Sequence, residues 1–578
     1  MNGYQVKGKN PLALFTLKLH RGDGMTLVAM NWKVGQPPRD FVGFAIEYKE
    51  PGGDRFYALK NRIAFPAVDG GVNARTLSTR LSPIQKFRWV HFPRNAEMKG
   101  DFVYRVSPVF MNPLGELSYG EPQEAAIPLR RDTYPGKLNV SFTRGFVSSQ
   151  AFVDRYGANS IPKLLPASAV EGLDFKPTHA EATEALTWMG FEARSAILEV
   201  LDRAIADTTA QVQVIAYDLN EPEIVSRLEQ LGSRLRIIID DSADHGEAGS
   251  AETKSAARLA VSAGPSNVKR QHVGGLQHNK TIVVDGKVKS VVAGSTNFSW
   301  RGLFVQSNNA LILQGPVPVQ VFSSAFDSFW NATSAAQFGA TASSTWQDLG
   351  FKQIDAKVTF APRLAANAVL ASIADDLEQH TTSSLFFSLA FLAQTSGAIR
   401  DALVKIRAAG KIFSYGIADK MVKELANSGT GGSAVALSKP DGTMTVVYPK
   451  ELAGNLPPPF KPEPIGGSGI RLHHKFLVID FDQPTARVYL GSFNFSVAAD
   501  TKNGENLLCI RDRRVATSYM IEALRIFDHY HFRVATAEAK ELGRKFQLAK
   551  APRTTTELPW WSESYTDPRK IRDRELFA

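Results

Sequence analysis

The chain has 578 residues, of which 44% are apolar and 21% are charged. A single hydrophobic core rarely grows beyond about 250–300 residues, so this length predicts two or three large domains, and the near-average composition excludes extensive disorder. The formal net charge of +10 favours polyanionic partners such as nucleic acid or an anionic membrane surface. Plain solubility explains the same charge.

The apolar runs and the cysteine content indicate where in the cell the protein is expected. No stretch approaches the roughly 20 apolar residues of a membrane span, and the amino terminus has no apolar run typical of a secretory signal. The single cysteine, Cys509, lies in the apolar run ENLLCI and is predicted to be a core residue. One thiol can form neither an internal disulfide nor a cysteine-based metal site, so we expect a cytoplasmic protein without a transmembrane segment.

Residues 1–132 read as an all-β region. Short alternating stretches such as MTLVAMNWKV and FVYRVSPVFM are separated by turns rich in Gly, Pro, Asn and Asp, which predicts an antiparallel β-sandwich. Their spacing resembles a fibronectin type III or immunoglobulin-like module. The region has no visible catalytic set, so we expect it to mediate protein contacts or dimerisation.

The pattern of the remaining residues predicts two consecutive α/β units with the same order of strands and helices. Residues 133–350 alternate strands with amphipathic helices, beginning with the strand LNVSF. Residues 351–578 repeat the order, with KVTFAPR matching NVSFTRG and helices predicted at 364–377 and 399–409. The second pass carries an insertion at 427–469, with a hairpin predicted around Asp441 and Gly442. This insertion either overhangs the active site or is a tolerated surface loop.

The strongest signal is a motif that occurs once in each pass. In both copies one residue separates a histidine from a lysine, four residues separate that lysine from an aspartate, and a Gly-Ser-x-Asn turn follows. The first copy consists of His278, Lys280, Asp285, Gly294, Ser295 and Asn297. The second consists of His473, Lys475, Asp480, Gly491, Ser492 and Asn494. A compound match repeated in one chain is not a coincidence of composition.

Strand periodicity gives the motif a chemical meaning. Alternate side chains point to one face, so each histidine projects with its lysine, while Asn279 and His474 point away. The serine and asparagine of each Gly-Ser-x-Asn turn alternate in the same way and are expected to donate hydrogen bonds into the same space. Two such half-sites would surround one phosphodiester with two ammonium groups, one nucleophilic imidazole and one acidic imidazole.

This constellation resembles the phospholipase D superfamily. The segment GSFNFSVAADTKNGENLLCI is similar to the bacterial endonuclease branch, in which Lys-Asn-x-Glu-Asn follows the Gly-Ser-x-Asn turn. The resemblance implies two pseudo-twofold related halves, each a mixed sheet flanked by helices, with the active site between them. Both halves are present, so a monomer would suffice for catalysis. No cofactor or metal is implied, and we see neither a magnesium-type acidic cluster nor a zinc spacing among the histidines.

The two copies differ at one position that matters. Ungapped counting places Glu505 opposite Asn308, and in the family this acidic position resembles an orienting partner for the histidine of its own copy. A carboxylate raises the pKa of a neighbouring imidazole, whereas an amide only orients it. We therefore expect His473, backed by Glu505, to be the general acid and His278, backed by Asn308, to be the nucleophile. The reverse assignment stays open because a carboxylate-backed imidazole can also be the better nucleophile.

Several further residues have both a functional and a structural interpretation. Asp285 and Asp480 fall on the opposite strand face and are predicted to hold the following turn. Trp300 and Arg301 could stack on a nucleobase or pack on the helix below. The other such residues are the strand-end arginines Arg144 and Arg363, which could approach phosphates, and the basic tail at 540–550 with Trp560 and Trp561, which could extend a nucleic-acid surface or dock.

The sequence leaves three functions open. The leading hypothesis is a metal-independent nuclease that acts on DNA or RNA through a covalent phosphohistidine. The alternative is a phospholipase D that hydrolyses phosphatidyl head groups, because the same histidines would serve both reactions. A polyanion-binding protein without turnover is the third, although the intact key residues in both copies argue against it.

Overall fold

The structure is a computed structural model that describes residues 3–66, 77–93, 95–129, 132–145, 152, 155–418, 422–425, 434–438, 444–447, 472–541 and 547–578. Within these ranges the chain forms four β-sheets with helices packed around two of them. Among the helices of these ranges, none is both long enough and apolar enough to cross a membrane.

The amino-terminal region forms two antiparallel sheets, as the alternating pattern predicted. One has the order β1-β2-β3-β6 and the other the order β5-β4-β7-β8, with β9 also pairing to β7. Phe15, Phe44 and Tyr104 are fully buried in the core between them. The strands are β1 (Gln5–Lys7), β2 (Phe15–Arg21), β3 (Thr26–Trp32), β4 (Phe41–Lys49), β5 (Tyr57–Ala58), β6 (Arg88–His91), β7 (Asp101–Met111), β8 (Leu117–Tyr119) and β9 (Gln123–Pro128). The likeness to fibronectin type III stays a prediction.

The first half is a seven-stranded mixed sheet in the order β10-β16-β15-β14-β11-β12-β13. Its strands are β10 (Leu138–Phe142), β11 (Gln211–Ala216), β12 (Leu235–Ile239), β13 (Val268–Arg270), β14 (Lys280–Asp285), β15 (Ser290–Gly294) and β16 (Asn309–Gln314). Its helices are α1 (Ile161–Leu164), α2 (Ala182–Ala206), α3 (Pro222–Leu231), α4 (Ala251–Ala263), α5 (Pro316–Asn331) and α6 (Ala335–Gly339). The central strands are β-branched runs buried on both faces, as a sheet covered by helices requires.

The second half repeats the order of six strands of the first half and adds further strands at both edges of its sheet. Its nine-stranded sheet has the order β17-β18-β25-β24-β23-β19-β20-β21-β22. The strands are β17 (Gln347–Asp348), β18 (Asp355–Ala361), β19 (Ser384–Leu389), β20 (Phe413–Ala418), β21 (Ala434–Ser438), β22 (Met444–Val447), β23 (Lys475–Ile479), β24 (Arg487–Gly491) and β25 (Glu505–Arg511). The helices are α7 (Leu370–His380), α8 (Ala398–Ala409), α9 (Val497–Thr501) and α10 (Arg513–Glu541). In each sheet a parallel pair, β11 with β12 or β19 with β20, adjoins the antiparallel strand that carries the lysine, and in the first sheet β13 also pairs parallel with β12. The predicted duplication and α/β class are confirmed.

The insertion contributes a hairpin to the edge of this second sheet. β21 pairs antiparallel with β20 and with β22, on either side of the turn predicted at Asp441 and Gly442. Those two turn residues and the segment from 448 to 471 lie outside the described residues. The predicted overhang of this insertion falls on that segment.

One predicted helix begins later than its pattern indicated. The sequence predicts a start at Leu364, but α7 begins at Leu370 after a short 3-10 turn. A carboxylate oxygen of Asp500 accepts hydrogen bonds from the backbone N–H groups of Val369 and Leu370, at 3.1 and 3.4 Å. This cap comes from a distant segment, which explains why local periodicity places the boundary wrongly.

The halves and the amino-terminal region share one hydrophobic core. It combines one face of each large sheet with α10, and it includes Met25 and Leu27 of the β-sandwich region. Arg88 on β6 forms ion pairs with Asp528 on α10 at 2.6 Å and with Asp573 in the tail at 2.8 Å. The β-sandwich therefore packs as an integral part of the molecule.

The carboxyl-terminal tail binds the amino-terminal region to the second half. It ends in α11 (Glu563–Thr566) and α12 (Pro568–Phe577). The Trp560 indole donates to the backbone oxygen of Phe41 at 3.0 Å, and the Phe577 carbonyl lies 2.6 Å from Nε2 of His20. For the two tail tryptophans the docked interpretation is thus the correct one.

We expect Phe577→Ala to lower the free energy of unfolding by about 3–5 kcal/mol, the usual cost of removing a buried phenylalanine. The Phe577 ring is fully buried and stacks on Phe481 of the second half with centroids 5.7 Å apart. Urea denaturation measures the change. Leu558→Ala in the same tail is the control, because Leu558 is 75% exposed and its loss should change stability by less than about 0.5 kcal/mol. Equal effects of the two substitutions would contradict the docked tail.

Candidate active site

The fold brings the two predicted histidines together at the junction of the halves. His278 and His473 immediately precede β14 and β23, the equivalent strands that carry the lysines. Their ring centroids are 6.4 Å apart, and they are only 3% and 5% exposed. The structure therefore brings the two motif copies together at one place.

The orienting partners are exchanged between the halves. His278 donates from Nδ1 to Oε2 of Glu505 at 2.9 Å, and His473 donates from Nδ1 to Oδ1 of Asn308 at 2.8 Å. The expectation that Glu505 backs His473 and that Asn308 backs His278 is therefore wrong. Each half-site is completed by the other half of the chain.

The exchange follows from backbone pairing between the residues that precede the strands of the two halves. Gln277, just before His278, forms a parallel bridge with Gly504, just before Glu505. Ser307 forms the equivalent bridge with Leu472, and the N–H of His473 donates to the Ser307 carbonyl at 3.2 Å. Each histidine thus lies beside the start of the opposite half's β16 or β25, a long-range pairing that ungapped counting within one copy cannot reveal.

The serines of the Gly-Ser-x-Asn turns hold the orienting groups. Ser295 donates to Oδ1 of Asn308 at 2.9 Å, and Ser492 donates to Oε2 of Glu505 at 2.6 Å. The expectation that both hydroxyls donate into the substrate space is wrong, because each is already committed to the group that orients a histidine. Ser295 and Ser492 therefore act indirectly, by fixing Asn308 and Glu505.

Both lysines are buried beside an aromatic ring. Nζ of Lys280 lies 4.6 Å from the ring centroid of Tyr217, and Nζ of Lys475 lies 5.5 Å from that of Phe391. Burial lowers the pKa of Lys280 to about 8, opposed by the nearby carboxylates, of which Glu505 acts most strongly. Burial and repulsion by Lys280 hold the pKa of Lys475 well below its usual value. Such a site favours an anionic ligand, which would restore both charges.

The two histidines differ in electrostatic setting. Burial lowers the pKa of His278, but the Glu505 carboxyl opposes the shift. The pKa of His473 lies well below its ordinary value because burial is reinforced by Lys475 and Lys280. His278 therefore sits in the environment that better tolerates a positively charged ring.

The two asparagines of the motif are not equivalent. Asn297 donates from Nδ2 to Oδ2 of Asp218 at 2.7 Å. In the second half, Oδ1 of Asn494 is buried and has no hydrogen-bond partner among the described residues, as is also true of Oδ1 of Asn297. Each of these amides retains hydrogen-bonding capacity for a ligand.

The two motif aspartates differ in role. Asp480 is buried, and its carboxylate accepts from the backbone N–H groups of Thr382, Ser383 and Ser384 at 2.7–3.1 Å. It therefore fixes the start of β19, a structural role in line with the prediction. Asp285 is exposed and forms an ion pair with Lys289. Neither carboxylate contacts the histidines.

Three suggested nucleic-acid contacts are used for packing. Trp300 is 5% exposed, and its indole donates to the carbonyl of Gly172 at 2.8 Å. Arg363 is buried and ion-paired with Asp500 at 2.7 Å. The Arg144 guanidinium lies 4.1 Å from the ring centroid of Phe191. The suggestions that these side chains reach bases or phosphates are wrong, because the core occupies them; Arg301 is half-buried.

Sequence reasoning missed a polar cluster next to the first half-site. Asp218, Asp240, His245 and Glu252 are scattered over 35 positions, and the ends of β11 and β12 bring them together. Asp218, His245 and Glu252 each place one possible ligand atom within 4.8 Å of the others. The sequence shows no magnesium-type acidic cluster, and this group could not be seen there because only the fold assembles it. Acidic residues directly after buried strands were the available signal.

This cluster is built as an ion-pair network. His245 contacts Asp218 with Nε2 at 3.3 Å and Asp240 with Nδ1 at 2.8 Å. These carboxylates raise the pKa of His245 to about 10 against the effect of burial. While His245 carries this proton it has no lone pair to offer a metal ion, and it acts as the cation of the ion-pair network.

Comparisons with known proteins agree with the motif. A family model described as cardiolipin synthase, PLD-like domain, matches residues 201–330. Phospholipase D of Rickettsia prowazekii (strain Madrid E) is 46% identical over 48 residues, which are 8% of this chain and 22% of that protein. Phospholipase D of Rickettsia conorii (strain ATCC VR-613 / Malish 7) is 44% identical over 48 residues, with the same coverage. The chain thus spans 22% of the length of these curated relatives.

Two solved structures are similar to parts of this chain. Nuc from Salmonella typhimurium, a phospholipase D family member, is 25% identical over 24% of this chain and 87% of its own, with a TM-score of 0.20. Phosphatidylserine synthase from Haemophilus influenzae Rd KW20 is 11% identical over 60% of this chain and 91% of its own, with a TM-score of 0.40. The two histidine-lysine motifs and these sequence matches make the chain similar to proteins of the phospholipase D superfamily.

Proposed function

We propose that this chain hydrolyses phosphodiester bonds through a covalent phosphohistidine and that nucleic acid is its substrate. The carrying observation is the pair of buried imidazoles, 6.4 Å apart between ring centroids, flanked by two buried lysines. A tetrahedral phosphate placed between the rings can be attacked from one side while its leaving oxygen is protonated from the other.

In this mechanism His278 is the nucleophile. Its Nδ1–H is held by Glu505, which leaves the lone pair of Nε2 free to attack phosphorus. The Nε2–P bond forms as the bond from phosphorus to the leaving oxygen breaks. A phosphorylated imidazole carries positive charge, which the buried Glu505 carboxyl stabilises as an aspartate stabilises the imidazolium of a serine protease. The expected role of His278 is retained, but for the opposite reason to the one given by sequence.

His473 then acts as acid and base. Its Nδ1–H is held by the neutral oxygen of Asn308, so Nε2 is directed toward the reacting centre in either protonation state. Its depressed pKa keeps the ring neutral in the free site, and the negative charge of a bound diester would raise that pKa, so that Nε2 carries the proton that the leaving oxygen takes. In the second step the same Nε2 removes a proton from water, which attacks phosphorus and releases His278.

The lysines supply the charge that holds the substrate. Two ammonium groups facing one diester offset the negative charge that spreads over the nonbridging oxygens in the transition state. A divalent cation serves this purpose in many other phosphoryl-transfer sites. We therefore propose that hydrolysis proceeds in the presence of a chelator.

Two observations support nucleic acid as the substrate. The net charge of +10 favours a polyanion, and the second motif copy resembles the endonuclease branch of the superfamily. The alternative is a phospholipid head group, which the names of the curated relatives favour. The two substrates share the diester and differ in what flanks it.

A cleavage panel tests this proposal. Purified protein is incubated in EDTA with single-stranded DNA, double-stranded DNA, RNA and phosphatidylcholine vesicles, with His278→Ala and His473→Ala as controls. We expect cleavage of nucleic acid in EDTA and none by either variant. Turnover of lipid alone would favour the phospholipase alternative. Binding of nucleic acid without any cleavage would favour the third hypothesis, a polyanion-binding protein without turnover.

A further inference from the structure

The cluster of Asp218, His245 and Asp240 touches the first half-site at two points. Oδ2 of Asp218 accepts from the amide nitrogen of Asn297 at 2.7 Å. Oδ1 of Asp240 accepts from the backbone N–H of Gln277, the residue before His278, at 2.6 Å. The partly buried ion pairs of Asp240, His245 and Asp218 thus connect the backbone just before His278 to the side chain of Asn297.

The cluster is itself held rigidly. His245 lies between the two carboxylates, and Tyr217 packs on both His245 and His278, with ring centroids 4.6 and 4.8 Å away. Oδ2 of Asp240 also accepts from the hydroxyl of Ser242 at 2.6 Å. These contacts fix where the Asp218 carboxylate lies relative to the catalytic histidine.

The second half-site lacks this arrangement. Ala216 pairs with Lys280 across β11 and β14, and Leu389 pairs with Lys475 across β19 and β23. Two residues beyond each, Asp218 in the first half therefore corresponds to Phe391 in the second. A carboxylate on one side and a phenyl ring on the other make the pseudo-symmetric site electrostatically unequal.

We infer that Asp218, held by His245 and Asp240, is a positioning residue that aims the amide of Asn297 at the scissile phosphate and offsets the charge of Lys280. This inference rests on the proposed phosphodiesterase function. One N–H of the Asn297 amide is bound by Asp218, so the second N–H is directed and polarised for a phosphate oxygen. The first half-site thereby holds the diester more rigidly than the second, where no carboxylate of the described residues binds Asn494.

The charge balance at Lys280 gives the inference a pH signature. The titratable and charged groups that act on or lie beside Lys280 come from both halves of the site. They are Glu505 on β25, Asp218 and Tyr217 after β11, Asp240 after β12, His278 before β14, and His473 and Lys475 at the start of β23. The three carboxylates raise the pKa of Lys280 against the effect of burial. His245 in turn neutralises part of the charge on Asp218. Removing Asp218 or removing His245 should therefore move the titration of Lys280 in opposite directions.

Two substitutions test this with bis(p-nitrophenyl) phosphate as the probe. We expect Asp218→Asn to lower kcat/KM roughly 10- to 100-fold, as a misdirected reactant group does, and to move the alkaline limb of the pH profile to lower pH. His245→Gln should move that limb to higher pH, because Asp218 then acts on Lys280 without its cationic partner. Asp218→Glu, which keeps the charge, should restore the limb of the unsubstituted protein.

The controls separate positioning from stability. Asp241→Asn removes the partner of the exposed His272, an ion pair of 2.7 Å outside the cluster, and should leave the profile unchanged. Activity is normalised to folded protein by circular dichroism. Losses of activity without opposite shifts of the alkaline limb, or an unchanged Asp218→Asn profile, would overturn the inference. If the unsubstituted protein cleaves neither this diester nor any substrate of the panel, the proposed function has failed instead.

Discussion

His278→Asn is expected to abolish cleavage of every phosphodiester, with a loss of at least about 10³-fold, because no other described group can form the covalent intermediate from that position. His473→Asn should cost about 10²–10⁴-fold on natural diesters, the usual contribution of a general acid. The activity losses of these two variants should differ when the substrate has a leaving group that needs no proton. p-Nitrophenolate departs without a proton, so His473→Asn should recover much of its first-step rate on bis(p-nitrophenyl) phosphate, and His278→Asn should not.

The measurement is a pre-steady-state burst of p-nitrophenolate followed by steady turnover. The His473→Asn variant should keep the burst and lose the turnover, because water attack still needs its base. His272→Asn is the matched control, since His272 is exposed and ion-paired away from the two catalytic rings. Recovery in His278→Asn rather than in His473→Asn would reverse the two roles.

Glu505→Gln is expected to lower kcat by about 10²–10⁴-fold with little change in stability. A glutamine keeps the shape and the acceptor for Nδ1 of His278, but it removes the charge that stabilises the phosphorylated ring. Asn308→Asp tests the opposite case, because it places a carboxyl on His473 and should raise the pKa of that ring. The acid limb of the kcat profile should then move to higher pH.

Rapid-quench kinetics on both variants, with Asp285→Asn as the control, check these outcomes. Asp285 is exposed and forms an ion pair with Lys289, so its carboxyl should be dispensable for catalysis. A Glu505→Gln variant with unchanged kcat would contradict the assignment of His278 as the stabilised nucleophile.

The sequence predicted the fold and the chemical groups because both depend on local patterns. Strand periodicity places His278 with Lys280, and the repeated spacing identifies His473 with Lys475. The repeated order of strands and helices along the chain followed from the matched segments beginning at Leu138 and Lys357. These features need no knowledge of how the halves meet.

What failed depends on contacts between distant segments. The exchange of Glu505 and Asn308 arises where Gly504 pairs with Gln277, a contact 227 residues apart along the chain. Asp218 and His245 carry no motif, and their meaning appears only when β11 and β12 end side by side. The burial of Trp300 depends on the distant carbonyl of Gly172.

The most direct test of a phosphohistidine mechanism is to identify the residue that becomes covalently bound to phosphorus during turnover. Wild-type protein is mixed with a slowly released aryl diester in EDTA, quenched in base, digested and mapped by mass spectrometry. A covalent phosphoryl group on His278, absent from His278→Asn, is the predicted result. An adduct on His473, or full turnover with no adduct on any histidine, would contradict the account.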